Sequence, residues 1–260
     1  MDKQYYIGID IGSTASKVVV MDDERLIDSF CLPTGWNSKE TANTIYQKLK
    51  EKGFSDNISC AATGYGRICV EYADKVITEI TCHAKGAYAL FSQDGTIIDI
   101  GGQDTKIISL ESGMVKDFLM NDKCAAGTGK FIEVMANRLG TDFEELYYLA
   151  SNGEPLSISS MCTVFAESEV ISFIGFGEKR ENIAAGVIDS VANKVINLAK
   201  KHGLHGEIML TGGLSYTPYF IELMSEKTGR QIHTHPLGRY AGAIGAAISL
   251  RPKNSTISFG

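Results

Sequence analysis

The feature that most restricts how this chain can fold is an internal repeat. Ile9-Asp10-Ile11-Gly12-Ser13-Thr14-Ala15-Ser16-Lys17 can be laid over Ile98-Asp99-Ile100-Gly101-Gly102-Gln103-Asp104-Thr105-Lys106, with the Asp and Lys seven positions apart in both copies. Each copy runs into an apolar segment, Val18-Val19-Val20 and Ile107-Ile108, so each reads as strand, tight glycine turn, strand. Two such hairpins predict two related lobes with a hinged cleft between them.

A strand that ends in Asp-x-Gly offers backbone N–H groups to phosphate oxygens, because glycine permits close approach and positive φ. One such hairpin is a plain β-turn more often than a binding site. The pair is different: facing hairpins grip the β- and γ-phosphates of ATP from two sides, with Lys17 offsetting their charge and Asp10 and Asp99 holding Mg²⁺. The expected nucleotide contacts are Gly12, Ser13, Thr14, Ala15, Ser16 and Lys17 from the first copy and Gly101, Gly102 and Gln103 from the second. Asp10 and Asp99 then organise the metal and the attacking water. Gln103 and Asp104 either position that water or serve only the turn.

A third glycine turn, Thr211-Gly212-Gly213-Leu214, follows a short strand, and the stretch Ala241-Gly242-Ala243-Ile244-Gly245-Ala246-Ala247 is a helix of small residues. In this order the three turns resemble the two phosphate motifs and the adenosine motif of the sugar kinase, heat-shock chaperone and actin ATPases. The resemblance implies an α/β chain with a two-lobed, duplicated ribonuclease H-like fold. Gly212, Gly213 and Leu214 would meet the nucleoside, and the helix containing Gly242 would be the second connecting helix, packing closely between domains. The expected division is lobe one over residues 1–90, lobe two over 91–240 and a returning helix and tail over 241–260. Cys124-Ala125-Ala126-Gly127-Thr128-Gly129-Lys130 superficially evokes a Walker A loop, but it opens on Cys and has Phe131 where Ser or Thr belongs.

Periodicity predicts helices over Ser38 to Glu51 with Ser38 as N-cap, Thr81 to Phe91, Gly129–Leu139, Phe143–Ala150, Glu167–Phe173, Ile183–His202 and Gly242 to Leu250, and strands over Ile58 to Thr63 and Glu207–Leu210. Arg251–Gly260 reads as a frayed tail.

Partner classes are narrowed by charge. A formal net charge of -6 argues against a footprint for nucleic acid or an anionic membrane, both of which need clustered Lys and Arg. No apolar run approaches the roughly 20 residues needed to cross a bilayer. Met1 leads directly into Tyr5-Tyr6-Ile7-Gly8-Ile9 with no basic region or cleavage site, so a cytoplasmic location is expected. The six cysteines, at 31, 60, 69, 82, 124 and 162, are then expected as free thiols.

Two of them precede predicted helices. Cys124 leads into Ala-Ala-Gly-Thr-Gly-Lys-Phe-Ile-Glu and Cys162 into Thr-Val-Phe-Ala-Glu-Ser-Glu. A helix N-terminus lowers a thiol's pKa and stabilises a thiolate ligand. There is no Cys-x-x-Cys, and spacing alone leaves buried apolar cysteines as the alternative.

The strings Asn121-Asp122-Lys123-Cys124-Ala125-Ala126-Gly127-Thr128-Gly129 and Ser160-Met161-Cys162-Thr163-Val164-Phe165-Ala166-Glu167-Ser168-Glu169 closely resemble the activator component of 2-hydroxyacyl-CoA dehydratases. Thr63-Gly64-Tyr65-Gly66-Arg67, Glu79-Ile80-Thr81-Cys82-His83-Ala84-Lys85-Gly86-Ala87 and Asp99-Ile100-Gly101-Gly102-Gln103-Asp104 are similar to the same family, which also includes ATP-binding subunits of benzoyl-CoA reductase and the reductases of double-cubane cluster proteins. The resemblance spans residues from about 5 to 250. It implies a homodimer sharing one 4Fe-4S cluster held by Cys124 and Cys162 of each copy, charged by ferredoxin or flavodoxin. ATP binding would bend the lobes, and ATP turnover to ADP would drive the electron to an iron-sulfur dehydratase or reductase. Cys31, Cys60, Cys69 and Cys82 are left structural, with Cys82 near the nucleotide because Glu79 and His83 flank it. His83 is either a core or capping residue or a functional one, and Arg67 either a surface ion pair or a cleft-closing residue. Two readings of other classes stand beside this one. A small-molecule kinase of the same fold would not need the two cysteines, and a chaperone-like ATPase would use them for structural zinc.

Overall fold

The computed structural model describes residues 3–158, 162–252 and 259. The elements run β1 (Tyr5–Ile11), β2 (Ala15–Met21), β3 (Leu26–Pro33), α1 (Ser38–Glu51), β4 (Ile58–Thr63), β5 (Lys75–Val76), α2 (Glu79–Phe91), β6 (Gly95–Ile100), β7 (Thr105–Glu111), β8 (Met114–Asn121), α3 (Gly129–Leu139), α4 (Phe143–Ser151), α5 (Thr163–Gly175), α6 (Arg180–His202), β9 (Glu207–Gly212), α7 (Pro218–Thr228), β10 (Ile232–His233) and α8 (Ala241–Ile248). Two five-stranded sheets form, in the orders β3-β2-β1-β4-β5 and β10-β9-β6-β7-β8. The chain divides into two compact units, one of residues 1–97, 108–117 and 235–260 and the other of 98–107 and 118–234.

In the first unit β1 pairs antiparallel with β2 and parallel with β4. Its alternate residues go to opposite faces: Ile7, Ile9 and Ile11 pack with Ala42, Ile45 and Leu49 of α1, while Tyr6 shares a second cluster with Ala243, Ile244 and Ala247 of α8. Burial on both faces is why this strand shows no polar alternation.

The small residues of α8 are dictated by clearance. A Cβ on Gly245 would lie 1.8 Å from the Cys82 carbonyl oxygen, one on Gly86 1.8 Å from that of Ala241, and one on Gly8 1.9 Å from that of Ala243. The close packing expected of this helix is therefore realised inside the first unit, against α2 and β1. Helix α1 is capped one residue earlier than expected, by Asn37, whose Oδ1 accepts from the Lys39 and Glu40 amides at 2.9 and 3.4 Å.

The second unit is built round α6, whose Ile183, Val187, Val191 and Val195 join Phe131 and Met135 of α3 and Phe220 and Met224 of α7 in one core. Residues 253–258 and 260 of the expected tail, and Ser160 and Met161 of the second cysteine motif, lie outside the described residues.

Candidate nucleotide hairpins and cysteine loops

The spacing of seven in the first repeat has a direct geometric meaning, because Asp10 and Lys17 are register partners across the β1–β2 pair. Lys17 Nζ lies 4.0 Å from Asp10 Oδ2, with the lysine side chain 19% exposed and the carboxylate 5%. The turn tip holds Ser13 and Thr14. Gly12 and Gly101 do not have the positive φ that the sequence suggested; close approach is what excludes a side chain there. A Cβ on Gly12 would sit 2.8 Å from the Ala15 carbonyl oxygen, and one on Gly101 2.3 Å from Asp104 Oδ1. Thr34 ties the first hairpin down by donating to the Gly12 carbonyl at 2.7 Å and meeting the buried Ser16 hydroxyl at 2.8 Å. The Ser16 hydroxyl is thus engaged by the fold.

Asp10 is enclosed by its own unit. A Cβ on Gly242 would come within 2.8 Å of Asp10 Oδ2 and 3.0 Å of His83 Nε2, which puts His83 beside the carboxylate. Gly64, at φ +88°, lies against Asp10 Oδ1, where a Cβ would be only 2.5 Å away. Arg67 donates to the Gly64 carbonyl at 2.9 Å and so braces this loop. Burial pushes the Cys82 thiol up to about 11 and Cys60 up to about 12, which keeps both protonated at neutral pH.

The second hairpin differs in its charges. Lys106 Nζ stands 2.7 Å from Asp104 Oδ2 and 3.5 Å from Asp99 Oδ2, and the Lys106 side chain is 4% exposed. Asp99 Oδ1 accepts from the Thr211 hydroxyl at 2.7 Å, joining this hairpin to the third glycine turn. Gly212, at φ +88°, packs on the end of β6, where a Cβ would meet the Ile100 carbonyl oxygen at 2.3 Å. Gly213 donates to that same oxygen at 3.1 Å. Leu214 is buried in the core, and Gln103 is exposed at the turn.

The same hairpin is stitched to the loop that carries Cys124. The Gly129 and Lys130 amides donate to the Gly101 and Gly102 carbonyls at 3.0 and 2.8 Å, and the Thr105 hydroxyl to the Gly127 carbonyl at 2.7 Å. Asn121 Nδ2 donates to the Cys124 carbonyl at 2.9 Å and to that of Ala126 at 3.3 Å. Cys124 does not directly precede its helix: Thr128 is the N-cap, and an Ala125–Thr128 turn, with Gly127 at φ +85°, intervenes. Cys162 does occupy the N-cap of α5, with extended backbone and no side-chain cap bond. All six cysteines are free thiols, and Cys124 and Cys162 are half-buried. The repeat pointed to Asp99 and Lys106, but no local signal assigned Thr105, Thr34 or the Lys106 ion pairs.

Two related glycine-turn hairpins and a third glycine turn, on this pair of sheets, define an ATPase of the actin, hexokinase and heat-shock-chaperone fold. A glucokinase from Streptomyces griseus shares that fold alone, at 15% identity, TM-score 0.59, over 94% of this chain and 98% of its own. The chain belongs to the BadF/BadG/BcrA/BcrD ATPase family, whose model matches residues 7–249. It is 42% identical to the (R)-2-hydroxyglutaryl-CoA dehydratase activating ATPase of Acidaminococcus fermentans, over 94% of this chain and 96% of that one. It is also similar to the activator of the 2-hydroxyisocaproyl-CoA dehydratase from Clostridium difficile with bound ADPNP, at 39% identity and TM-score 0.88, over 95% and 94% of the two chains. Among the described residues no helix is long and apolar enough to cross a membrane.

Proposed function

We propose that this protein is an ATP-hydrolysing one-electron donor that activates a 2-hydroxyacyl-CoA dehydratase or a closely related iron-sulfur reductase of the double-cubane or benzoyl-CoA reductase type. One observation carries the reading: the second phosphate hairpin and the loop bearing Cys124 share three hydrogen bonds, two between backbones and one from the Thr105 hydroxyl. A kinase would need the hairpin without that connection.

In this reading Lys17 and the hairpin amides, with Ser13 and Thr14 at one tip and Gly101, Gly102 and Gln103 at the other, bind the phosphates. Gly212, Gly213 and Leu214 form the turn beside the nucleoside. Asp10, with one oxygen 4.0 Å from the Lys17 ammonium, and Asp99, with one oxygen facing the Thr211 hydroxyl and the other the Lys106 ammonium, are both almost fully buried and suit Mg²⁺ coordination directly or through water. Gln103 and Asp104 orient the attacking water. When phosphate contacts displace Gly101 and Gly102, their carbonyls carry the displacement to the Gly129 and Lys130 amides and so to the start of α3.

The cysteines fit a shared cluster by their chemistry. Cys124 and Cys162 together offer two thiolates from one chain. A four-cysteine cluster then calls for the same two residues from a second copy about a twofold axis. Cys162 stands at the N-cap of α5, at the positive end of the helix dipole, which favours added negative charge nearby. A 4Fe-4S cluster held there supplies the one-electron redox chemistry, charged by ferredoxin or flavodoxin.

The test is anaerobic purification with iron and sulfide counting, followed by electron paramagnetic resonance with and without ATP. The expected result is about four iron and four sulfide per dimer, a signal that responds to ATP, and loss of both in Cys124→Ser and Cys162→Ser. Colourless protein that phosphorylates a small molecule, or zinc without visible absorbance, overturns the reading.

A further inference from the structure

The two copies of the repeat have put the same lysine to different uses. Lys17 lies 4.0 Å from a single carboxylate and keeps 19% of its side chain exposed. Lys106 is withdrawn from solvent, with its ammonium 2.7 Å from Asp104 and 3.5 Å from Asp99, the latter only 2% exposed. One ammonium thus serves two carboxylates, of which Asp104 keeps 25% of its side chain exposed while Asp99 is almost wholly withdrawn from water. The hydroxyl of Thr211 also donates to Asp99, at 2.7 Å.

We propose that Lys106 is the built-in counter-ion of the second hairpin. Its ammonium holds Asp99 and Asp104 in place while the hairpin is empty, and the divalent ion that arrives with the nucleotide takes over that neutralisation. Lys106 and the ion thus compete for one pair of carboxylates. The inference rests on the nucleotide reading above for the ion's arrival, but the counter-ion role is measurable without nucleotide. It makes Lys106 a positioning residue, whereas Lys17 is left to face the phosphates.

The experiment uses full-length protein purified anaerobically and melted without nucleotide, in EDTA and in millimolar Mg²⁺. Lys106→Met takes the ammonium away from both carboxylates, so its Tm in EDTA is expected to fall by about 5–10 °C. Mg²⁺ alone should restore more than about half of that fall, while the parent barely responds. Asp104→Asn leaves one carboxylate for one ammonium and is expected to melt in EDTA at or above the parent and to lose any response to Mg²⁺. Combined with Lys106→Met it should bring the melt part of the way back. An unchanged Tm for Lys106→Met, or a fall that Mg²⁺ does not repair, overturns the proposal. If Lys106→Met yields no folded protein, Asp104→Asn decides: a melt below the parent's in EDTA overturns it. Should the parent hydrolyse no ATP while these melts come out as expected, the proposed function falls and the counter-ion role stands.

Discussion

Thr105→Val tests whether the second hairpin and the cysteine loop move as one body. Thr105 is 1% exposed in β7, and its hydroxyl donates to the Gly127 carbonyl at 2.7 Å. Valine keeps the shape and the β-branched preference for a strand, so what changes is the hydroxyl. Removing a buried donor strips its acceptor of a partner, which costs about 1–3 kcal/mol. For a chain of this size that corresponds to a fall in Tm of roughly 3–10 °C. Thr105→Ser keeps the donor and loses one methyl, worth about 0.8 kcal/mol of burial, so the serine variant should be the more stable of the two. The functional readout is the rate at which Cys124 reacts with a maleimide in cluster-free protein, with and without ATP. The parent and Thr105→Ser should change rate on adding ATP, and Thr105→Val should respond less. A valine variant that melts with the parent and reports ATP at Cys124 as the parent does would refute the coupling.

Three further outcomes follow from the geometry. Gly245→Ala gains about 1 kcal/mol of helix propensity but sets a carbon 1.8 Å from the Cys82 carbonyl oxygen, so urea unfolding should show net destabilisation of about 2 kcal/mol or more. At pH 8 mass-spectrometric labelling of the native, cluster-free protein should modify Cys124 and Cys162 while Cys60 and Cys82, whose thiols burial pushes up to about 12 and 11, react only after unfolding. At Asp22 burial acts to raise the pKa, but the Lys3 ammonium and the Glu24 and Arg25 amides outweigh it and hold the carboxyl down at about 2. A depressed pKa stabilises the fold above the unfolded value and loses that contribution as pH falls through the folded one. Asp22→Asn should therefore be less stable than the parent at neutral pH, with the difference in urea midpoint closing between about pH 4 and pH 2.

The hairpins were legible because a spacing of seven is written in the sequence and places Asp10 opposite Lys17. The buried helices α3 and α6 could be read from their periodicity, and the bounds expected for β4 coincide with those observed. Strand β8 escaped because its alternation is mostly exposed, with Met114 and Phe118 facing out and no regular polar partner positions to mark it. Helix α7 starts at Pro218 within a stretch whose buried residues, Phe220 and Met224, are too few to declare a face. The bounds expected for α3, Gly129–Leu139, coincide with those observed; what escaped was the Ala125–Thr128 turn, with Gly127 at positive φ, that separates Cys124 from the helix. Spacing alone does not separate Lys106 from Lys17. Their different surroundings arise from Asp104, which has no counterpart in the first copy, where Ala15 stands.

The glycine contacts of α8 also bear on how the chain assembles during synthesis. Gly8 in the first strand fits against Ala243, and Gly86 against Ala241, so the first unit closes only when residues near 241–248 have emerged. The inserted stretch of 118–234, which carries both Cys124 and Cys162, is complete before that. Ribosome-bound chains should consequently protect the second unit from protease first, and the last helix acts as the bolt that locks the first strand in place.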